Sequence, residues 1–223
     1  MRLGDFDAFL FDLDGTLVHS MGMWKEIDFV YLARFGITPP PDLQKDLEGL
    51  RFEEVAVYFR SRFGIRDDIH TIMDDWQKMA EEMYRNVPLR DGTRAFLSRL
   101  KERGKKCAIV TSNHDGLTEI CLTAHGIRQY FDLVVTCDTV RSNKPEPDVY
   151  LYAARHLDTD PAKCLVFEDL PFGIMAGKAA GMRVIAVEDV YSAPVREEKR
   201  RLADEMIDSF EELLKGGFCE EDP

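Results

Sequence analysis

Four short polar clusters in this 223-residue chain carry groups able to do chemistry. Asp12 and Asp14 flank a leucine ahead of Gly15-Thr16; Thr111 leads Ser112 and Asn113; Lys144 opens Lys144-Pro145-Glu146-Pro147-Asp148; Glu168 and Asp169 are adjacent. Brought together, Asp12, Asp14, Glu168 and Asp169 set four negative charges against the one positive charge of Lys144. Like charges ~4 Å apart repel by about 4 kcal/mol at an effective dielectric of 20, so such a cluster needs a cation. The ligands on offer are oxygens, with no His or Cys among them. That donor set suits Mg²⁺, which takes one or two carboxylates and fills its octahedron with water and substrate phosphate. A metal with Lys144 and the Thr111 hydroxyl would form a site for a phosphoryl group, and a carboxylate in line with phosphorus can act as nucleophile.

Three of the clusters follow an apolar run: Asp12 after Ala8-Phe9-Leu10-Phe11, Thr111 after Ala108-Ile109-Val110, and Glu168-Asp169 after Leu165-Val166-Phe167. Such runs, at 8–11, 107–110, 133–135, 164–167 and 184–187, are too short for free-standing helices and read as buried strands. Helical segments at 93–103, 116–125, 147–156 and 173–180 alternate with them, and Gly104 and Gly126 close the first two. The pattern predicts an α/β fold with a mainly parallel sheet. In such sheets ligands bind outside the carboxyl ends of the strands, which is where the clusters fall. The Lys144 cluster follows 133–135 by a loop long enough to reach the same edge.

A crossover between parallel strands needs only about a dozen residues, yet 18–87 separates the first two strands and is helical in period. In 67–86 the apolar residues Ile69, Ile72, Met73, Trp76, Met79, Ala80 and Met83 form one stripe. Apolar clusters before Gly36 and Gly64 suggest two further helices. Residues 18–87 therefore read as a small helical domain inserted after the first strand, leaving 1–17 and 88–223 as the sheet domain. The tail 216–223, rich in Gly and acid, reads as frayed.

The composition narrows the function. With 41 acidic and 29 basic residues the net charge is −12, which disfavours nucleic acid as a partner. No apolar run approaches the ~20 residues of a membrane span, and Asp12 and Asp14 interrupt the first apolar run, so neither membrane nor signal peptide is expected and the protein reads as cytoplasmic. The five cysteines are scattered without CxxC spacing, and Cys107 and Cys164, in apolar runs, read as buried reduced thiols. Taken alone, Asp12-Leu13-Asp14-Gly15-Thr16 is also an ordinary turn. An EF-hand loop fits poorly, since no third acid precedes the glycine and a strand comes before it.

Phe11-Asp12-Leu13-Asp14-Gly15-Thr16-Leu17, Val110-Thr111-Ser112-Asn113, Lys144-Pro145-Glu146-Pro147-Asp148, and Phe167-Glu168-Asp169 with Gly173, Ala176, Gly181 and Met182 resemble the four ordered motifs of the haloacid dehalogenase superfamily. The resemblance spans 5–214 and is to the branch of phosphoglycolate phosphatase and β-phosphoglucomutase. It implies a Rossmann-like three-layer core with an inserted helical cap, Mg²⁺ dependence, an aspartyl-phosphate intermediate and a small phosphate monoester as substrate, in a monomer or weak homodimer. By the same resemblance Asp12 is the nucleophile and Asp14 the general acid/base. Thr111 and Lys144 bind phosphate, with Ser112 and Asn113 beside them. Asp12, Asp169, Glu168 and the Asp14 main chain hold the metal, and Gly49 and Arg51 face the substrate. His19 stands where many relatives carry Asp, Leu170-Pro171-Phe172 replaces a more polar segment, and Trp24 falls where hexose phosphate mutases carry His. A sugar phosphate mutase is the first alternative activity. A receiver-like phospho-accepting signalling module is the alternative from another class, and the inserted helices and the acid on the first strand argue against it.

Overall fold

The structure is a computed structural model in which residues 2–47, 52–136, 138–140 and 142–215 are described. In chain order the elements are β1 (Ala8–Phe11), α1 (Met23–Ala33), α2 (Leu43–Leu47), α3 (Phe52–Phe63), α4 (Ile69–Asn86), α5 (Thr93–Glu102), β2 (Lys106–Val110), α6 (Asp115–Ala124), β3 (Leu133–Val135), α7 (Asp148–His156), β4 (Cys164–Glu168), α8 (Pro171–Ala179), β5 (Arg183–Val187), α9 (Arg196–Leu202), β6 (Glu205–Ile207) and α10 (Phe210–Lys215). They form two compact units, Met1–Met21 with Val87–Pro223, and Gly22–Asn86.

The first unit holds a six-stranded sheet in the order β3-β2-β1-β4-β5-β6. Every pairing is parallel, with Leu10 of β1 opposite Ala108 of β2 and Val166 of β4. All four residues of β1 are buried, because helices cover both sheet faces and leave no solvated side to alternate toward. On one face Ala8, Leu10, Val110 and Val166 pack with Tyr150 and Ala153 of α7 and Ile174 of α8. On the other, Phe11 stacks on Phe167 at 4.8 Å and both meet Phe96 of α5 and Phe210 of α10. From β1 the chain winds outward to β2 and β3, then returns to β4 on the other side and winds to β5 and β6. The winding reverses between β1 and β4, and the carboxyl ends of those two strands flank the crevice that such a reversal opens.

The second unit is α1 to α4. α4 buries Ile72, Trp76, Ala80 and Tyr84, a stripe at four-residue steps that ends in a tyrosine outside the apolar pattern of the sequence. Trp76 packs on Phe59 of α3 at 4.9 Å and on Tyr31 of α1 at 5.5 Å.

The short elements α2, α9, β6 and α10 carry no clear signal in the sequence. β6 has three residues and, among the described residues, pairs with β5 alone, so it offers no buried run to read.

Candidate active site

The sheet itself fixes the first residue of two clusters. The Asp12 amide donates to the Phe167 carbonyl at 3.0 Å and the Thr111 amide to the Val135 carbonyl at 3.0 Å, each continuing a ladder one residue past its strand. Glu168 is the last residue of β4 and Asp169 the next.

Lys144 ties the clusters together. Its Nζ donates to Asp12 Oδ1 at 2.7 Å and to the Val110 carbonyl at 3.0 Å, and lies 2.5 Å from Glu168 Oε1. The Tyr150 hydroxyl donates to the same Glu168 oxygen at 2.6 Å, while the Tyr150 ring stands 5.5 Å from the ammonium. The loop bearing Lys144 is closed onto α7 by the Ser142 hydroxyl, which donates to Asp148 Oδ2 at 2.9 Å.

Asp14 is held from both sides: Ser20 Oγ donates to its Oδ1 at 2.6 Å and Asn113 Nδ2 to its Oδ2 at 3.1 Å. Asn113 is fixed in turn by its own amide, which donates to Thr111 Oγ1 at 3.1 Å. Two glycines make room for the acids. At Gly15, with φ +76°, a Cβ would collide with the Asp169 carboxylate, and at Gly173 it would overlap the Glu168 carboxylate.

Asp12, Glu168 and Asp169 each offer a carboxylate oxygen, and these oxygens all lie within 4.8 Å of one another. All three residues are buried, and Asp169 Oδ2 has no hydrogen-bond partner. Burial pushes the Asp12 carboxyl up to about 7; Lys144 opposes the rise, and Glu168 and Asp14 add to it. Burial, with Asp12 and Glu168, also holds Asp169 well above the usual carboxylate range. For Lys144 burial alone would favour the neutral amine, but Asp12 and Glu168 outweigh it and keep the ammonium protonated above its ordinary range. Fully ionised, the three carboxylates would outnumber the one ammonium, and one of their oxygens, Asp169 Oδ2, has no partner. An oxygen-donor cation of the Mg²⁺ type fits this donor set and would satisfy that oxygen.

Of the residues singled out in the sequence, Asp12, Glu168, Asp169 and Lys144 meet at the end of β1 and β4, and Asp14, Asn113 and Thr111 are joined by hydrogen bonds beside them. Ser112 is exposed on the turn after Thr111. Gly49 and Arg51, like Cys137, Cys219 and the tail from 216, lie outside the described residues. His19 is half-exposed, with Nδ1 3.7 Å from Asp189 Oδ2. Cys107, Cys121 and Cys164 are buried free thiols, and burial raises each to about 12. No described helix is long and apolar enough to cross a membrane.

Sequence reasoning missed Ser20, Tyr150 and the buried Arg90, whose side chain reaches the turn after Asp14. Tyr150 reads as one more apolar residue of α7, and Ser20 is a small residue six positions past Asp14; neither has a spacing that marks it as a partner of an acid.

A model of the haloacid dehalogenase-like hydrolases matches residues 9–187. The bifunctional riboflavin kinase/FMN phosphatase of Arabidopsis thaliana is 31% identical over 201 residues, covering 90% of this chain and 52% of that protein, so the chain spans about half the length of that relative. The fructose-1-phosphate phosphatase YqaB of Escherichia coli is 28% identical over 190 residues, covering 82% of this chain and 96% of that one. The crystal structure of a CbbY variant from Rhodobacter sphaeroides in complex with xylulose-1,5-bisphosphate superposes with a TM-score of 0.76 at 27% identity, covering 93% of this chain and 96% of the other. The matched span takes in Asp12, Asp14, Thr111, Lys144 and Asp169 in order, and the chain belongs to the haloacid dehalogenase-like hydrolase family.

Proposed function

We propose that the chain is a Mg²⁺-dependent phosphatase that hydrolyses a small phosphate monoester, a sugar phosphate or phosphoglycolate-like ester, through a phosphoryl group carried on Asp12. The observation that carries this reading is Lys144, whose one ammonium bridges Asp12 and Glu168 beside the unpartnered Asp169 oxygen. The named activities of the Arabidopsis and E. coli relatives, on FMN and fructose 1-phosphate, support it, since both compounds are small phosphate monoesters.

In this reading Asp12 Oδ attacks phosphorus, the ester P–O bond breaks, and Asp14 gives its proton to the leaving oxygen. Asp14, now a carboxylate, takes a proton from water; the water oxygen attacks phosphorus, the Asp12–phosphorus bond breaks and inorganic phosphate leaves. Ser20 and Asn113 orient Asp14 for both transfers. Lys144 stays protonated and offsets the repulsion between the Asp12 carboxylate and an anionic ester. Thr111, Ser112 and Asn113 bind the phosphoryl oxygens. Asp12, Asp169, Glu168 and the Asp14 main-chain carbonyl would hold Mg²⁺, which supplies positive charge against the phosphoryl oxygens when bound. The inserted helical unit carries no such cluster among its described residues and acts as the cap that selects substrates, with Gly49 and Arg51 as its contribution.

Turnover of fructose 1-phosphate, FMN and 4-nitrophenyl phosphate tests the reading. Activity is expected with Mg²⁺, is lost in chelator, and is not restored by Ca²⁺, whose longer bonds and looser coordination displace the phosphoryl group from the line of attack. Full activity in chelator, or none with Mg²⁺, overturns it.

A further inference from the structure

Asp14 needs more than its two side-chain partners to keep its place, because the chain leaves the sheet after Asp12 and turns at Gly15 in the left-handed region. Main-chain carbonyls in such a turn have no ladder to join and need other donors. Those of Gly15 and Thr16, the two residues after Asp14, both accept from one guanidinium: Arg90 Nη2 donates to the Gly15 carbonyl and Nε to the Thr16 carbonyl at 3.0 Å. Its remaining donors are also spent. Nη1 donates to the Glu188 carbonyl at 2.7 Å and the Asp208 carbonyl at 3.4 Å, and Nη2 to Asp189 Oδ2 at 2.9 Å. All five N–H groups of the fork have an acceptor. The Arg90 and Asp189 side chains are each 4% exposed, and Asp189 Oδ1 is itself fixed by the Tyr191 amide at 2.9 Å. The Arg90 main chain adds to the hold, its amide donating to the Leu17 carbonyl at 2.9 Å beside the Val18–Leu89 bridge.

We propose that Arg90, oriented by Asp189, is a positioning residue for Asp14: it pins the Gly15–Thr16 turn and so fixes where the acid/base carboxyl stands relative to the leaving oxygen. This rests on the phosphatase reading above. A buried guanidinium that merely held the fold would affect every substrate alike. One that positions the general acid matters in proportion to how much the leaving group needs a proton.

Arg90→Lys separates the two. It keeps a cation opposite Asp189 but cannot serve two turn carbonyls and a carboxylate with a planar fork. The measurement is single-turnover cleavage, with enzyme in excess and Mg²⁺ present, of fructose 1-phosphate and of 4-nitrophenyl phosphate, whose phenolate leaves without a proton. General acid catalysis contributes about 10²- to 10⁴-fold, so a misplaced acid should slow the sugar ester by about 30-fold or more and the aryl ester by less than about threefold. Asp189→Asn, which leaves the fork in place but removes the charge that orients it, should give the same pattern at about three- to tenfold, and serves if the lysine variant does not fold. Equal losses on both esters, from Arg90→Lys or from Asp189→Asn in its place, assign Arg90 to the fold alone and overturn the proposal. A parent protein that cleaves neither ester overturns the phosphatase reading, and this proposal with it.

Discussion

The two units of the chain treat buried polar groups in opposite ways. In the sheet unit, charges are gathered inside: Asp12, Lys144, Glu168, Asp169, Arg90 and Asp189 are all nearly inaccessible, and Asp12, Lys144, Glu168, Arg90 and Asp189 are tied by ion pairs or hydrogen bonds. In the helical unit the interior is aromatic, built on Tyr31, Phe59 and Trp76, with Asp28 as the one buried charged residue among those described, and the ion pairs of Arg34 with Asp75 and of Arg85 with Glu81 and Glu82 are part-exposed. Even the buried Trp76 Nε1 has no hydrogen-bond partner. It is the tip of a ring whose apolar burial outweighs the cost of desolvating one donor. One unit keeps a cluster of charges out of water, which desolvation opposes, and the other is held by burial.

The sharpest break between them is expected from single substitutions. Asp12→Asn should lower phosphatase turnover by at least about 10³-fold, since the near-isosteric amide is a poor nucleophile, while leaving the folded state intact. In metal-free protein it should raise the melting temperature at pH 8, because it removes a buried charge that desolvation opposes. Residual activity within tenfold of the parent would remove Asp12 from its role. Trp76→Ala should do the reverse, costing about 3 to 5 kcal/mol of stability in chemical denaturation while turnover of 4-nitrophenyl phosphate, measured well below the unfolding transition, stays within about tenfold. A Trp76 variant that melts like the parent would mean the aromatic layer does not hold its unit.

A smaller effect follows from pH. The Asp12 carboxyl titrates near 7 in the fold against 3.8 in an exposed chain, so between those values the folded protein keeps a proton that the unfolded chain has lost. Stability of the metal-free protein therefore falls as pH rises from about 4 to about 7 and is flat above, by on the order of 2 to 4 kcal/mol from this group. Asp169 acts in the same direction. Burial would also raise Asp132 and Asp204, but Lys101 and the Cys107 amide on the first, and Lys178 and the Val184 amide on the second, hold both below 3.8; the stability they contribute is lost only in stronger acid. Melting temperatures at pH 5 and pH 8, with and without Mg²⁺, check this: the metal should stabilise more at pH 8. Equal stabilisation at both values would mean the cluster is not the binding site.

The sheet unit is legible in the sequence because the residues of its candidate site sit at strand ends. A buried parallel strand is a short apolar run, and the first polar residue after it is held by the ladder, so one-dimensional signals place Asp12, Thr111 and Glu168. Lys144 is marked by its cluster, although the loop that brings it to Asp12 has no periodicity. Residues that act through the main chain or through one tip atom leave no such trace. Arg90 lies in Leu89-Arg90-Asp91-Gly92 and reads as a solvated turn, because its acceptors are carbonyls of Gly15, Thr16, Glu188 and Asp208, which the sequence does not distinguish. In the helical unit the α4 stripe announces its buried face, but Tyr84 stays outside the pattern because a tyrosine counts as apolar only when its ring is buried.

The last and smallest effect concerns selectivity, which the sheet unit cannot supply if its groups all serve the phosphoryl transfer. A cap that selects substrates would do so through contacts remote from phosphorus, and Arg51 is the cation that the family resemblance assigns to a substrate-facing loop of the inserted segment. Removing a charged hydrogen bond to a remote substrate anion or hydroxyl costs roughly 1.5 to 3 kcal/mol, about one to two decades in kcat/KM. An aryl phosphate offers no such group beyond the phosphate itself. Arg51→Ala should therefore lower kcat/KM for the preferred sugar phosphate by about 10- to 100-fold and that for 4-nitrophenyl phosphate by less than about threefold, changing the ratio of the two. Arg90→Lys shifts that ratio in the same direction, and the kinetic step tells them apart. A misplaced acid slows single-turnover cleavage even at saturating substrate, whereas loss of a binding group in the cap shows first in KM. Equal losses on both esters would place Arg51 in the shared chemistry or in the stability of its own unit, and the division of labour between a reactive sheet unit and a selective helical one would have to be given up.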